Sequence, residues 1–167
     1  MRGRIALCAL VVGVLGYAVH RLALVVPAWL LGNDDMIVGL DCCLDYHRDA
    51  PDPWANVLIG LSGVIVTQVV ALTAIGMLAA RRGPVWALPT VAVTLFLVSP
   101  LLQLIVYLAW HRAERDYVAV IDYSMDATGL PEQPLVVLFA ALFIAYTIFF
   151  GAALGRARQR AFTAAPR

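Results

Sequence analysis

The residues best equipped for chemistry lie in one short segment, Asp41–Asp49. The segment brings together three carboxylates, two adjacent thiols and an imidazole. Thiolate, imidazole and carboxylate are the groups that bind zinc, which takes about four of them in a tetrahedron. The candidate metal ligands are therefore Asp41, Cys42, Cys43, Asp45 and His47.

The same segment also has an interpretation without chemistry. Adjacent cysteines rarely chelate one ion, because zinc sites usually leave at least two residues between their thiols. The chain contains three cysteines, too few for a disulfide framework. A solvated acidic loop, with Cys42 and Cys43 joined in a vicinal disulfide or packed at an interface, accounts for the pattern equally well. No cofactor is predicted.

A second charged segment, His111–Asp116, could complete an outward-facing site if it met the first. A membrane enzyme acting on lipid headgroups could use His47 and His111 together. Ion pairs at helical spacing, such as Arg112 with Asp116, explain the second segment without catalysis. No nucleophile, base and orienting group stand at a recognisable spacing, so the sequence assigns no catalytic residue.

The elements that must position these segments are predicted to be membrane helices. Of the 167 residues, 62% are hydrophobic, against about 45–50% in soluble domains. Four stretches with almost no charge are each long enough to cross a bilayer, for which roughly 20 apolar residues suffice. They lie at about 5–25, 57–80, 86–110 and 134–154. The predicted fold is an all-α, four-span transmembrane helix bundle that forms one integral membrane domain over residues 1–167.

The charges of the chain are segregated between the ends of these stretches. All eleven carboxylates lie in two windows, Asp34–Asp52 and Glu114–Glu132. Eight of the twelve arginines lie near the two ends of the sequence or between the second and third stretches, at Arg2, Arg4, Arg81, Arg82, Arg156, Arg158, Arg160 and Arg167. Because arginine-bearing loops are retained in the cytoplasm, both termini are predicted inside. Two acidic loops, at about 26–56 and 111–133, are predicted outside. The sequence contains no cluster of basic residues that could bind the phosphate backbone of a nucleic acid, so nucleic acid is not an expected partner.

In outline, this arrangement resembles the quinone-linked disulfide-oxidising membrane proteins, which have four membrane helices and cysteines in their outer loops. The resemblance implies electron transfer through Cys42 and Cys43. That family carries a Cys-x-x-Cys pair in one outer loop and a second pair in the other. This chain departs from the pattern, since its two cysteines are adjacent and 111–133 contains none.

Charged residues in the first apolar stretch leave two alternatives. His20 and Arg21 lie near its predicted outer end. We expect the first stretch to cross before Pro27 and the Arg21 head to extend to the outer interface. The alternative buries both side chains in the bundle as a functional pair, as ionisable residues inside membranes usually are.

Small and amide side chains predict how the other spans pack. In span 2, Gly63, Thr67 and Ala71 recur every four residues, and in span 4 Gly151 and Gly155 form a GxxxG motif. Such stripes let helix backbones approach closely. Gln68 is expected to form hydrogen bonds between helices, as are Ser99 and Gln103 in span 3, where Pro100 predicts a bend.

The function predicted from these features is that of a non-catalytic accessory or interaction subunit in a plasma membrane. Its expected partners are the lipid bilayer and a membrane protein or second copy, bound through spans 2 and 4. The absence of lysine and the abundance of arginine and alanine indicate a GC-rich, bacterial genome. Two alternatives stay open: an outward-facing enzyme or metal-binding protein using both acidic loops, and a small oligomeric channel. No span contains a carboxylate or a lysine, which disfavours an ion-coupled transporter.

Overall fold

The computed structural model describes residues 2–33, 36–38, 44–46, 52–80, 87–96, 100, 104–105, 108–109 and 115–163. Within these ranges the chain forms five α helices and one pair of short strands. The helices are α1 (Arg2–Leu30), α2 (Pro53–Ala79), α3 (Ala87–Phe96), α4 (Arg115–Thr128) and α5 (Glu132–Thr163). The strands β1 (Met36–Val38) and β2 (Leu44–Tyr46) pair antiparallel.

Three of the helices are long and apolar enough to cross a membrane. The qualifying ranges are Ala6–Leu30 in α1, Pro53–Ala79 in α2 and Glu132–Arg160 in α5. They correspond to the first, second and last predicted spans, so three of the four predicted spans coincide with a helix of suitable length and composition. Of the predicted third span, the structure describes α3 and a few later residues. Its full crossing therefore stays a prediction.

α1 continues through Pro27, past the predicted crossing at 5–25, and ends at Leu30. Proline has no N–H, so Pro27 cannot donate to the carbonyl oxygen of Ala23. The Ser62 hydroxyl of α2 donates to that oxygen instead, at 2.7 Å. Beyond the end of the helix, Gly32 turns the chain with a φ of 86°, and the Asn33 N–H donates to the Ala28 carbonyl at 2.9 Å. This left-handed cap suits glycine, which has no Cβ to clash.

α2 is the central helix of the bundle. Its N-terminus is capped by Asp52, whose carboxylate accepts from the Trp54 N–H at 3.0 Å, and Pro53 occupies the first turn. Within an apolar 18-residue window of each spanning helix, 56% of the residues of α2 are buried, against 22% in α1 and 11% in α5. The main core joins α2 to α3 and α5 through buried apolar residues that include Ala71, Leu78, Ala92, Phe96 and Phe150.

The contacts give the relative directions of the helices. His20 lies against Gly63, and Ala28 packs with Ala55 and Ile59. α1 and α2 therefore run antiparallel. Gln68 meets Tyr146 midway along α2, and the later Ile75 shares a cluster with the later Ala157, so α2 and α5 run parallel. The start of α1 and the ends of α2 and α5 consequently lie at the same end of the bundle.

α4 lies where the sequence predicts an outer loop at 111–133. Val120, Ile121 and Ser124 form its buried face, and Ile121 packs on Leu135 of α5. The helix ends at Gly129, whose φ is 70° and whose N–H bonds the Met125 carbonyl at 2.7 Å. Arg115–Thr128 is therefore a packed helix within the predicted loop, because its apolar residues recur at helical spacing beneath the exposed aspartates.

Candidate functional site

A buried arginine lies between α1 and the rest of the bundle. Arg21 is 7% exposed. Its Nε and NH2 groups donate to the Tyr17 hydroxyl at 3.0 and 2.9 Å, and its Cζ lies 5.2 Å from the Tyr17 ring centroid. The predicted extension of this side chain to the outer interface is therefore not observed. One turn of helix separates the two residues, which is the spacing that lets their side chains meet.

His20 fills the space that Gly63 leaves open on α2. A Cβ added at Gly63 would lie 2.5 Å from Cε1 and 2.6 Å from Nδ1 of the imidazole. The Gly63, Thr67 and Ala71 stripe is buried within the chain, as expected of residues that let another helix approach. Because this stripe packs inside the bundle, it is not available to a partner protein.

Gln68 connects three helices near the middle of α2. Its Nε2 donates to the Leu95 carbonyl of α3 at 3.4 Å, and its Oε1 accepts from the Tyr146 hydroxyl of α5 at 3.0 Å. The predicted interhelical hydrogen bonding of this side chain is confirmed. Ser99 and Gln103, for which the same role is predicted, lie outside the described residues.

Several serine and threonine hydroxyls in the described helices donate to backbone carbonyls. The Ser62 hydroxyl shares its one hydrogen between the Ile59 and Ala23 carbonyls, and the Thr67 hydroxyl shares its hydrogen between Gly63 and Val64. Ser124 and Thr147 each donate to the carbonyl four residues earlier. A hydroxyl that donates to a carbonyl has no base to accept its proton, so these groups are not arranged as nucleophiles.

Acidic residues gather where α4 meets α5. The pKa of Asp122 is raised above its ordinary value of 3.8, mainly by partial burial and further by the nearby carboxylates of Glu132 and Asp126. Mutual repulsion of this kind is what a bound cation would relieve. Within the described ranges, however, no group of three histidine, cysteine or acidic side chains could hold a metal ion.

Most of the predicted metal ligands cannot be placed. Asp41, Cys42, Cys43 and His47 lie outside the described residues, as does 111–114. Asp45 lies in β2, paired with Ile37 of β1. The metal site therefore stays a prediction.

Sequence reasoning missed the partners of the buried polar groups. Tyr17 could have been found from its position one turn before Arg21, whereas Tyr146 is distant from Gln68 in the sequence. Asn33 was also missed. It is 3% exposed, and its amide atoms find no hydrogen-bond partner in the described part of the chain.

No family model, no curated protein and no solved structure matches this chain. The outline resemblance to disulfide-oxidising membrane proteins thus has no family match to support it. Any function must therefore be argued from the residues and their geometry.

Proposed function

We propose that this protein is a four-span plasma-membrane protein of bacterial type, with both termini in the cytoplasm. It serves as a non-catalytic interaction subunit that associates with another membrane protein or a second copy through one face of α5. The parallel course of α2 and α5, and the opposite course of α1, support this topology because alternating crossings require them. In this topology most arginines lie at the cytoplasmic end of the bundle and the aspartates and glutamates lie at the outer end.

The hydrogen bonds of Arg21 and Gln68 support a non-catalytic role. Arg21 is held by Tyr17, and Gln68 bonds Leu95 and Tyr146. The first contact lies within α1, whereas Gln68 joins α2 to α3 and α5, and a satisfied polar contact between helices rigidifies a bundle. Among the residues that the structure describes, these bonds leave no nucleophile beside a base, which covalent or hydrolytic catalysis would need.

The observation that carries the proposal is the unpacked glycine pair of α5. Gly151 and Gly155 are exposed, and a Cβ added at either would meet nothing within 4 Å. Ile144 and Ile148 continue the same exposed face towards the start of the helix. Contact with lipid does not require a small residue at these positions. A second helix does require one, because a GxxxG face lets the two backbones approach closely. We call this surface, Ile144, Ile148, Gly151 and Gly155, the glycine face.

Leucine substitutions test the glycine face. Gly151→Leu and Gly155→Leu add a side chain where the chain itself has open space, so the fold should survive while the complex dissociates. The complex is measured by mass photometry of native-membrane nanodiscs, and folding by helicity. Ala145→Leu is the matched control, since Ala145 is exposed on α5 about a third of a turn from Gly151. If both glycine variants keep the wild-type complex, the glycine face is not an interface.

A further inference from the structure

We propose that the groove between the ends of α2 and α5 binds one anionic phospholipid, with its phosphate on Arg156 and Arg160. This inference goes beyond the proposed interaction role and uses another face of α5. The groove is a cavity of about 300 Å³ whose lining includes Ile75, Gly76, Phe149, Ala153, Arg156 and Arg160. We call it the lipid groove.

Small residues create the lipid groove. Gly76 has no side chain, and a Cβ added there would meet nothing within 4 Å. Ala153 faces it from α5, so the two parallel helices leave a gap between the larger Ile75 and Phe149. The walls of this gap are hydrocarbon, which suits a chain of methylene groups rather than a polar ligand.

The mouth of the groove is cationic. Arg156 and Arg160 lie one turn apart on α5, so their guanidinium groups share one side of the helix. Both line the cavity and both are exposed. In α5 the acidic residue is Glu132, roughly 36 Å away at about 1.5 Å per residue. Two guanidinium groups can form several charge-assisted hydrogen bonds to one phosphate.

The length of the apolar surface favours a lipid over a free phosphate. A second cavity of about 390 Å³ follows along α2 and α5, lined by residues that include Gln68, Leu72, Phe143 and Tyr146. From Gln68 to Ala79 the helix advances roughly 16 Å, about half of the ~30 Å hydrocarbon core and hence the depth of one leaflet. One acyl chain can therefore follow α2 and α5 inward from the arginines.

Basic pockets between transmembrane helices at the cytoplasmic side are known to bind anionic headgroups. The proposed orientation places the lipid groove at that side, where anionic lipids are available. Only the leaflet that supplies the lipid depends on this orientation. Binding measured in detergent has no sidedness, so it can succeed even if the orientation is wrong.

The experiment titrates delipidated protein in detergent with phosphatidylglycerol or phosphatidylcholine and reads occupancy by native mass spectrometry. The double variant Arg156→Gln, Arg160→Gln should weaken phosphatidylglycerol binding about 30-fold. Each arginine contributes about 1 kcal/mol to binding, and about 1.4 kcal/mol corresponds to a tenfold change in affinity. Arg158→Gln is the matched control, because Arg158 is exposed but lies about half a turn from the groove. It should change affinity less than twofold.

Gly76→Leu tests the acyl-chain part of the site. The open space at this position lets the variant fold, which its helicity and thermal stability will verify, while leucine fills the groove. Phosphatidylglycerol binding should fall about tenfold although both arginines remain. The proposal is overturned if phosphatidylcholine binds equally well or if Arg158→Gln matches the double variant. Unchanged binding in Gly76→Leu, or displacement of the lipid by equimolar inorganic phosphate, overturns it as well.

Discussion

Replacing Gly63 by alanine should destabilise the bundle through a collision with His20. The added Cβ would lie 2.5 Å from the imidazole Cε1, whereas non-bonded carbons rest at about 3.5–4.0 Å, so the ring must retreat by about 1 Å. Overpacking of this kind costs about 1–3 kcal/mol. Alanine also favours helix over glycine by about 1 kcal/mol, which partly conceals the collision.

Gly76→Ala removes that ambiguity because it makes the same chemical change in the same helix, at a position with nothing within 4 Å. The helix-propensity gain is common to both variants. The difference between their free energies of unfolding therefore isolates the collision, and we expect Gly63→Ala to be less stable by about 1–3 kcal/mol. Reversible unfolding in mixed micelles, followed by helicity, measures both values.

A double-mutant cycle with His20→Ala identifies the colliding group. Removing the imidazole should relieve the alanine at position 63, so the two substitutions should couple by at least about 1 kcal/mol. The reasoning is refuted if Gly63→Ala proves as stable as Gly76→Ala, or if the cycle shows no coupling.

Three further predictions concern the Gln68 hydrogen bonds, the Asp122 carboxyl and the membrane topology. Gln68→Leu, which removes two interhelical hydrogen bonds, should lower the free energy of unfolding about twice as much as Tyr146→Phe, which removes one worth about 0.6 kcal/mol. Equal losses in the same micelle titration would contradict this. Because the pKa of Asp122 is raised above 3.8, the folded state disfavours its charge, and stability should fall as pH rises through the folded pKa. Asp122→Asn should therefore melt higher than wild type at pH 7 and equally at pH 3; a difference that persists at pH 3 would count against it. In a cysteine-free background, a cysteine at position 122 should react with an impermeant maleimide, and one at position 82 only after permeabilisation. Labelling of position 82 in intact cells would reverse the proposed topology.

The spanning helices could be predicted because their signal is local. A long apolar run needs no knowledge of its neighbours to be recognised as a candidate span. The extent of α1 could not be predicted in this way. Pro27 indicates a stop by its chemistry, and the hydroxyl that offsets it belongs to Ser62, 39 residues from Ala23 along the chain.

The prediction of an outer loop did not foresee α4, although the signals for this helix are local in the sequence. Val120, Ile121 and Ser124 recur at helical spacing, and Gly129 with Pro131 marks the end of a helix. The aspartates between these residues are equally typical of a solvated loop, so the sequence alone does not distinguish the two. The burial of Arg21 has a similarly local signal, because Tyr17 lies one turn earlier on the same helix and accepts from its guanidinium.

α1 gains one backbone hydrogen bond near its proline only when α2 arrives. During synthesis α1 emerges before α2, and since Pro27 has no N–H to donate, the Ala23 carbonyl gains the Ser62 hydroxyl only when α2 follows. An unsatisfied carbonyl in hydrocarbon costs several kcal/mol, and Arg21, buried in the same stretch, adds to the penalty of entering lipid alone. We therefore expect α1 to remain beside the insertion machinery and to pass into the bilayer together with α2 as a helical hairpin.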